Sequence, residues 1–178
     1  MAINRSIQLG CLIEGLEVSH ISGPLSGDVL GIAYHSKQVR PNYLFVAIRG
    51  FNHNGHYFIP EAISRGAKVI VAEDIPQNSN VETLIQVPDS RKALARISAK
   101  FFGNSSLQMK VIGITGTNGK TTTSYLLESI FRHAGYNPGV IGTINYRFGN
   151  QLMCSSNTTP ESLEMQKLLA QMVEEKVS

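Results

Sequence analysis

Residues 113–123 read Gly113-Ile114-Thr115-Gly116-Thr117-Asn118-Gly119-Lys120-Thr121-Thr122-Thr123. An apolar run, Val111 to Ile114, precedes the glycines. Leu127, Ile130, Phe131 and Ala134 follow at i, i+3, i+4 and i+7, the spacing of an amphipathic helix. Strand, glycine-rich turn, Lys-Thr and helix, in that order, is the setting a phosphate-binding loop requires. Gly116 and Gly119 lack a Cβ, so the backbone can take dihedrals closed to other residues and approach a ligand. The N–H groups freed at the helix start carry about half a positive charge and favour phosphate oxygens. Lys120 has the reach for β- and γ-phosphates, and Thr121 offers a hydroxyl to a magnesium ion. The common Gly-x-x-x-x-Gly-Lys pattern would place glycine at position 114. This chain has Ile114 there, with glycines three apart at 113, 116 and 119.

Composition narrows the classes. The chain has 178 residues, 42% hydrophobic and 16% charged, as in a globular protein large enough for one domain and part of another. A net charge of +3 is too small to argue for a nucleic-acid partner. No apolar stretch approaches the roughly 20 residues of a membrane span, so no membrane insertion is expected. Met1 to Leu12 has no apolar core of signal-peptide length, which favours the cytoplasm. Cys11 and Cys154 are far apart and read as reduced thiols.

The polar stretch Gly103-Asn104-Ser105-Ser106 marks a boundary. It gives a first domain over 1–103, a linker over 104–109 and a second domain from 110. In the first, strands are expected at Tyr43–Ile48, Lys68–Ala72 and Leu84–Val87. A helix is expected over His56–Arg65, stopping at Gly66. Asp89 or Ser90 can cap another helix with Leu94, Ile97 and Phe101 inward and Arg91, Lys92, Arg96 and Lys100 solvated. Glu73-Asp74 reads as a strand end. In the second, Val111–Ile114 and Gly139–Ile144 read as strands and Tyr146–Met153 as a hairpin turning at Gly149-Asn150. Thr159 is expected as N-cap, Pro160 at N1 and Glu161 near the positive end of a last helix. Its stripe is Met165, Leu168, Leu169 and Met172. No apolar run ending in an acidic residue follows the loop, so a second magnesium carboxylate has no candidate. His53 and His56 have no carboxylate or cysteine beside them to suggest a metal.

Thr115-Gly116-Thr117-Asn118-Gly119-Lys120-Thr121-Thr122, with its variant glycine spacing, resembles the ATP-binding loop of the Mur ligases, ADP-forming amide ligases of UDP-N-acetylmuramoyl peptides. Val39-Arg40-Pro41-Asn42-Tyr43-Leu44-Phe45-Val46-Ala47-Ile48-Arg49-Gly50 is similar to the family's N-terminal strand, with Tyr43 where an aspartate is usual. Gly142-Thr143-Ile144 and Asn157-Thr158-Thr159-Pro160-Glu161-Ser162 resemble segments of the member that adds the third amino acid. The resemblance runs over nearly the whole chain.

It implies an α/β fold: a small α/β domain for the uridine nucleotide, then the beginning of a parallel-sheet P-loop domain for ATP, the chain being the N-terminal part of a larger enzyme. It implies ATP and Mg2+ as cofactors, a UDP-N-acetylmuramoyl-dipeptide and an amino acid as partners, and a monomer. The reaction it implies runs through an acyl phosphate. ATP binding falls to Gly116, Thr117, Asn118, Gly119, Lys120, Thr121 and Thr122, with Lys120 catalytic and Thr121 on the metal. His35-Ser36-Lys37 stands where the family has Asp-Ser-Arg, which gives Ser36 to the nucleotide. Tyr34 matches the uracil pocket, and Phe51, Asn52 and His53 another uridine-side loop. Asn157, Thr158 and Thr159 match residues at the muramoyl-peptide end. A sibling ligase of the superfamily and a catalytically inactive nucleotide-binding remnant stand as alternatives. The added amino acid is not readable.

Overall fold

The structure is a computed structural model that describes residues 5–50, 53–75, 80–154 and 159–178. The chain divides into two compact units, Met1–Phe101 and Phe102–Ser178.

Three apolar runs in the first unit become strands β5 (Tyr43–Val46), β6 (Ala67–Ala72) and β7 (Thr83–Gln86), in the places the sequence predicts. Leu44, Phe45, Val46, Ile70, Val71 and Ile85 are all fully buried. A strand that is apolar at every position needs cover on both faces, and parallel pairing with crossover helices supplies it. β4 (Gly31–Ala33), too short to read from the sequence, pairs parallel with β5, β5 with β6, and β6 with β7. β2 (His20–Ser22) closes the far edge antiparallel to β7, so the sheet runs β2-β7-β6-β5-β4. A separate two-stranded ladder joins β1 (Ile7–Gln8) to β3 (Asp28–Val29).

Two helices cover the sheet. α2 (Ile59–Ser64), continuing a 3-10 turn over Gly55–Phe58, places Ile59 and Ala62 against Phe45, Ala47 and Ile70. α3 (Ser90–Phe101) packs on β5 and β6 through a face that includes Leu94, Ile97 and Phe101. The choice of cap at its start is settled by geometry: Asp89 Oδ1 accepts from the N–H of Lys92 at 2.9 Å. The basic face of α3 is more than solvated. Arg96 Nη1 donates to the Gly15 carbonyl at 3.0 Å and Lys100 Nζ to that of Cys11 at 3.0 Å. Both tie α3 to the end of α1 (Leu9–Ile13), which the sequence reading did not identify.

In the second unit the hairpin forms as expected. β9 (Asn145–Phe148) and β10 (Gln151–Cys154) pair with Phe148 opposite Gln151 around Gly149-Asn150. β8 (Val140–Ile141) pairs antiparallel with β9 and is shorter than the expected Gly139–Ile144 strand. The last helix, α5 (Ser162–Glu174), buries Leu168, Leu169 and Met172 against Tyr146 and Phe148. Met165 packs there partly buried. The expected linker holds a 3-10 turn, Ser105–Leu107, packed near α5.

Two expectations fail here. Val111–Ile114 is not a strand: the stretch 110–116 has no regular structure, and Val111 and Ile112 are 60% and 55% exposed. A strand exists only through a ladder partner, and none pairs with it among the described residues. Nor does Thr159 cap α5. Glu161, extended at ψ 160°, is the N-cap, and its carboxylate accepts from the N–H of Ser162. That moves the helix start past Pro160, which is therefore not at N1.

Phe45 is fully buried at the centre of the first unit's core. Phe45→Ala should cost about 3–5 kcal/mol of that unit's stability, read as a lower urea midpoint for its unfolding. An unchanged midpoint would show that this core is not what holds the unit.

Candidate functional site

The glycine loop leads directly into α4 (Lys120–His133). Gly119 sits at the N-cap with φ 79° and Gly116 has φ 150°, backbone states that side-chain-bearing residues avoid. Gly119 has no side chain to cap the helix, and α4 receives no side-chain cap bond. The first intrahelical bond runs from the N–H of Thr123 to the Gly119 carbonyl at 2.8 Å. The N–H groups before it have no partner within the helix, so the positive end of the dipole faces the loop. A Cβ built at Gly113 or Gly119 would meet nothing within 4 Å, so a ligand has room to approach this backbone. Lys120 Nζ folds over the loop and donates to the Gly116 carbonyl. Arg132 and His133 in the last turn complement the opposite dipole end.

The loop borders a cavity of about 740 Å³ within the second unit. Thr115, Gly116, Lys120, Thr121 and Thr159 all line it, so the structure brings Thr159 to the glycine loop's cavity. Thr117, Asn118, Gly119 and Thr122 are exposed and outside its lining. Asn157 and Thr158 lie outside the described residues, as do Phe51 and Asn52 of the first unit.

An ion pair beside the loop had no recognised sequence signal. Arg147 Nε, on β9, donates to Glu128 Oε2 of α4 at 2.6 Å, and its Nη1 donates to Asn145 Oδ1 at 2.9 Å. Its guanidinium lies 3.9 Å from the centre of the Tyr125 ring. Burial pushes the Glu128 carboxyl up, but hydrogen bonds from Arg147 and Arg132 outweigh it and hold it below the usual range. The i,i+4 spacing of Glu128 and Arg132 was visible in the sequence; the pairing with Arg147 was not.

The candidate residues of the first unit gather at the carboxyl edge of its parallel strands, where open α/β sheets bind ligands. Tyr34, His35 and Ser36 follow β4, and the connection holding His53 follows β5. Glu73 and Asp74 follow β6, and the start of α3 follows β7. The Tyr34 and His35 rings lie 4.5 Å apart. His53 is exposed, and its carbonyl accepts from the N–H of Gly50 at 3.0 Å. Ser36 is buried, and its hydroxyl donates to Glu61 Oε2 of α2 at 2.7 Å. While that bond holds, Ser36 offers an incoming group lone pairs, not a proton. The Ser36 hydrogen bond is the main reason the Glu61 carboxyl sits below its ordinary value; Arg65 adds to it. Among the described residues no group of three His, Cys, Asp or Glu could hold a metal ion. No helix there is long and apolar enough to cross a membrane.

Comparison with known proteins decides the family. The Mur ligase middle domain matches residues 114–178, and the Mur ligase family, catalytic domain, matches residues 28–102. The chain belongs to the Mur ligase family. It is 45% identical over 174 residues to the UDP-N-acetylmuramoyl-L-alanyl-D-glutamate–2,6-diaminopimelate ligase of Clostridium botulinum, covering 96% of this chain and 36% of that protein. The ligase of the same name from Geobacter sulfurreducens is 43% identical over 155 residues, 87% of this chain and 30% of that one. This Mur ligase chain thus spans about a third of the length of its relatives. A solved UDP-N-acetylmuramoyl-L-alanyl-D-glutamate–2,6-diaminopimelate ligase superposes with a TM-score of 0.75 at 20% identity, over 97% of this chain and 34% of that one. That likeness concerns the α/β fold alone. The MurF ligase of Thermotoga maritima, solved in complex with ADP, matches with a TM-score of 0.51 at 28% identity, over 78% of this chain and 28% of that one.

Ser36→Ala removes the bond that holds the Glu61 carboxylate. The Glu61 titration, followed by carboxyl-carbon NMR, should move to higher pH in that variant. A titration that stays in place would mean the Ser36–Glu61 contact does not form in solution.

Proposed function

We propose that this Mur ligase chain supplies the uridine-nucleotide and ATP phosphate sites of an ADP-forming ligase. That ligase adds the third amino acid to UDP-N-acetylmuramoyl-L-alanyl-D-glutamate in peptidoglycan synthesis. The observation that carries this reading is the uncapped start of α4 behind Gly116 and Gly119, with Lys120 over the loop and Thr159 lining the same cavity. The names of the relatives supply the substrate. The first domain, about 1–103, takes the UDP end through Tyr34, Ser36, Phe51, Asn52 and His53; 104–109 connects it to the ATP-binding domain. Gly116 to Thr122 hold the ATP phosphates, and Asn157, Thr158 and Thr159 face the muramoyl-peptide end. The enzyme works as a cytoplasmic monomer without membrane insertion.

The residues present fit a nucleotide: free N–H donors, positive-φ glycines, open space and a mobile ammonium. For Mg2+ the fit is thinner. Thr121 would offer its hydroxyl to the ion, and phosphate oxygens and water would complete the shell. The ion would neutralise charge between the phosphates.

The protein's share of the chemistry is placement and charge. The γ-phosphoryl group passes to the substrate carboxylate, giving an acyl phosphate and ADP. The incoming amine then attacks the acyl carbon and phosphate leaves. Lys120 sits where it can shift from the Gly116 carbonyl onto the transferring group, whose oxygens gather charge in the transition state. The α4 N–H groups are fixed in place and need no reorganisation as that charge moves.

Lys120→Ala in the complete ligase should abolish substrate-dependent ADP release while leaving the circular dichroism spectrum unchanged. Turnover near the wild-type rate would remove Lys120 from the phosphate role.

The 178-residue chain by itself should catalyse nothing. No residue of α4 is buried, and Leu126 and Ile130 on it are about three-fifths exposed, 60% and 61%. Apolar surface of that extent leaves the element carrying the catalytic lysine poorly supported. Hydrogen exchange should show protection in β5, β6, β7 and α3 and little in α4, with no ADP released on adding substrate, ATP and an amino acid. Amide-bond formation by this chain alone would show that the residues here suffice.

A further inference from the structure

His56 carries more contacts than its place in a surface turn would require. Its Nε2 accepts from the backbone N–H of Glu73 at 3.1 Å and of Asp74 at 3.2 Å. With two donors facing it, Nε2 must hold its lone pair, so the ring proton is on Nδ1. Nδ1 lies 2.7 Å from Asn54 Oδ1, which accepts that proton and also accepts from the His56 N–H at 3.1 Å. The imidazole thus bridges the connection after β5 to the connection after β6.

The bridge extends to a third connection. Glu73, whose N–H His56 holds, turns its carboxylate to the start of α3. Oε1 accepts there from the Ser90 N–H at 3.0 Å and from the Ser90 hydroxyl at 2.8 Å. Arg49, at the base of the same connection as His56, pairs with Glu73 Oε2 at 3.1 Å and with Asp74. Arg49 also pairs in an antiparallel bridge with Asn54. The ends of β5, β6 and β7 are therefore joined through one ring and one carboxylate.

We propose that neutral His56 is the positioning residue of the uridine-nucleotide site, clamping the connections after β5 and β6 so that they hold one wall of it. This rests on the reading that the nucleotide binds at this sheet edge. A neutral ring holds the clamp; an imidazolium would set an N–H donor at Nε2 against two more donors and open it. The charged groups facing His56 are Arg49 from the connection after β5 and Glu73 and Asp74 from the connection after β6. Burial lowers the His56 pKa most; Asp74 and Glu73 raise it, Arg49 lowers it, and the balance is below its ordinary value. With a folded-state value under the unfolded one, the unfolded or opened form takes the proton first. The clamp is complete above about pH 6.5 and is lost as pH falls through the lower, folded value.

The test uses the 178-residue chain and UDP-N-acetylglucosamine, whose diphosphate does not titrate in the range used. Affinity is measured at about pH 8 and about pH 5.5. Wild type should bind more weakly at the lower pH, by at most about ten-fold, as the protonated ring gives up its two hydrogen bonds. His56→Gln, whose amide oxygen accepts but does not titrate, should bind as wild type does at pH 8 and change little with pH. In parallel, amide exchange at Glu73 and Asp74, corrected for its intrinsic pH dependence, should lose protection at low pH in wild type but not in His56→Gln. Equal pH profiles of binding in the two proteins, or unchanged protection at Glu73 and Asp74, overturn the clamp. Absent binding by wild type at both pH values, with the exchange result as expected, overturns the uridine site while leaving the clamp. If His56→Gln does not fold, the wild-type exchange profile still decides, since protection that does not depend on pH overturns the proposal.

Discussion

The parallel pairing of β4 through β7 is the constraint on which the first unit depends. Parallel strands cannot be joined by tight turns, so each must be followed by a crossover. Every crossover leaves from the same edge. That edge therefore collects Tyr34 to Ser36, the connection holding His53 to His56, Glu73-Asp74, and the start of α3. The polar groups gathered there are fixed from below by strands whose inward residues, Phe45, Ile70 and Ile85 among them, are fully buried. A site on that edge inherits the rigidity of the core without exposing any of it. The second unit places its candidate groups differently, by a helix start behind two positive-φ glycines.

How much of this was legible follows from the kind of signal each element leaves. β5 and β6 are readable because burial on both faces makes them apolar at nearly every position, while β7 keeps that signal at Leu84 and Ile85. β4, with three residues, and α1, with five, are too short for a period to show. The error at Val111–Ile114 has the same root. An apolar run reports that a segment prefers burial, but only a partner makes it a strand, and a run does not name its partner. The error at Thr159 is one of position: the backbone is still extended at Glu161, so the helix begins at Ser162 and Glu161, not Thr159, takes the cap.

The candidate sites divide along the same line. The glycine loop is legible because its chemistry is local, with backbone donors, flexible residues and a lysine all within a few positions. The contacts that organise the first unit's edge are not. Ser36 meets Glu61, 25 residues on, and His56 meets Glu73, 17 residues on. Neither separation follows a helical or strand period, so neither leaves a trace in the sequence. The clue at Ser36 was family resemblance, and that could place the serine but not its committed proton.

The two units also differ in how firmly they hold their candidate groups. α3 buries Leu94 and Ile97 completely and is tied down further by Arg96 and Lys100. No residue of α4 is fully buried, and a 14-residue helix is marginal on its own propensity. The described contacts that hold it to its surroundings include the Glu128–Arg147 pair and the Tyr125–Arg147 stacking. Its positive end is uncapped, so an anion bound there would satisfy the free N–H groups and oppose the dipole. A ligand that binds the ordered helix and not the disordered one stabilises it by mass action. On the proposed reading, phosphate binding and the ordering of α4 are therefore one equilibrium. The same free donors that would suit the loop to an anion leave the helix weak until an anion or a packing partner completes it.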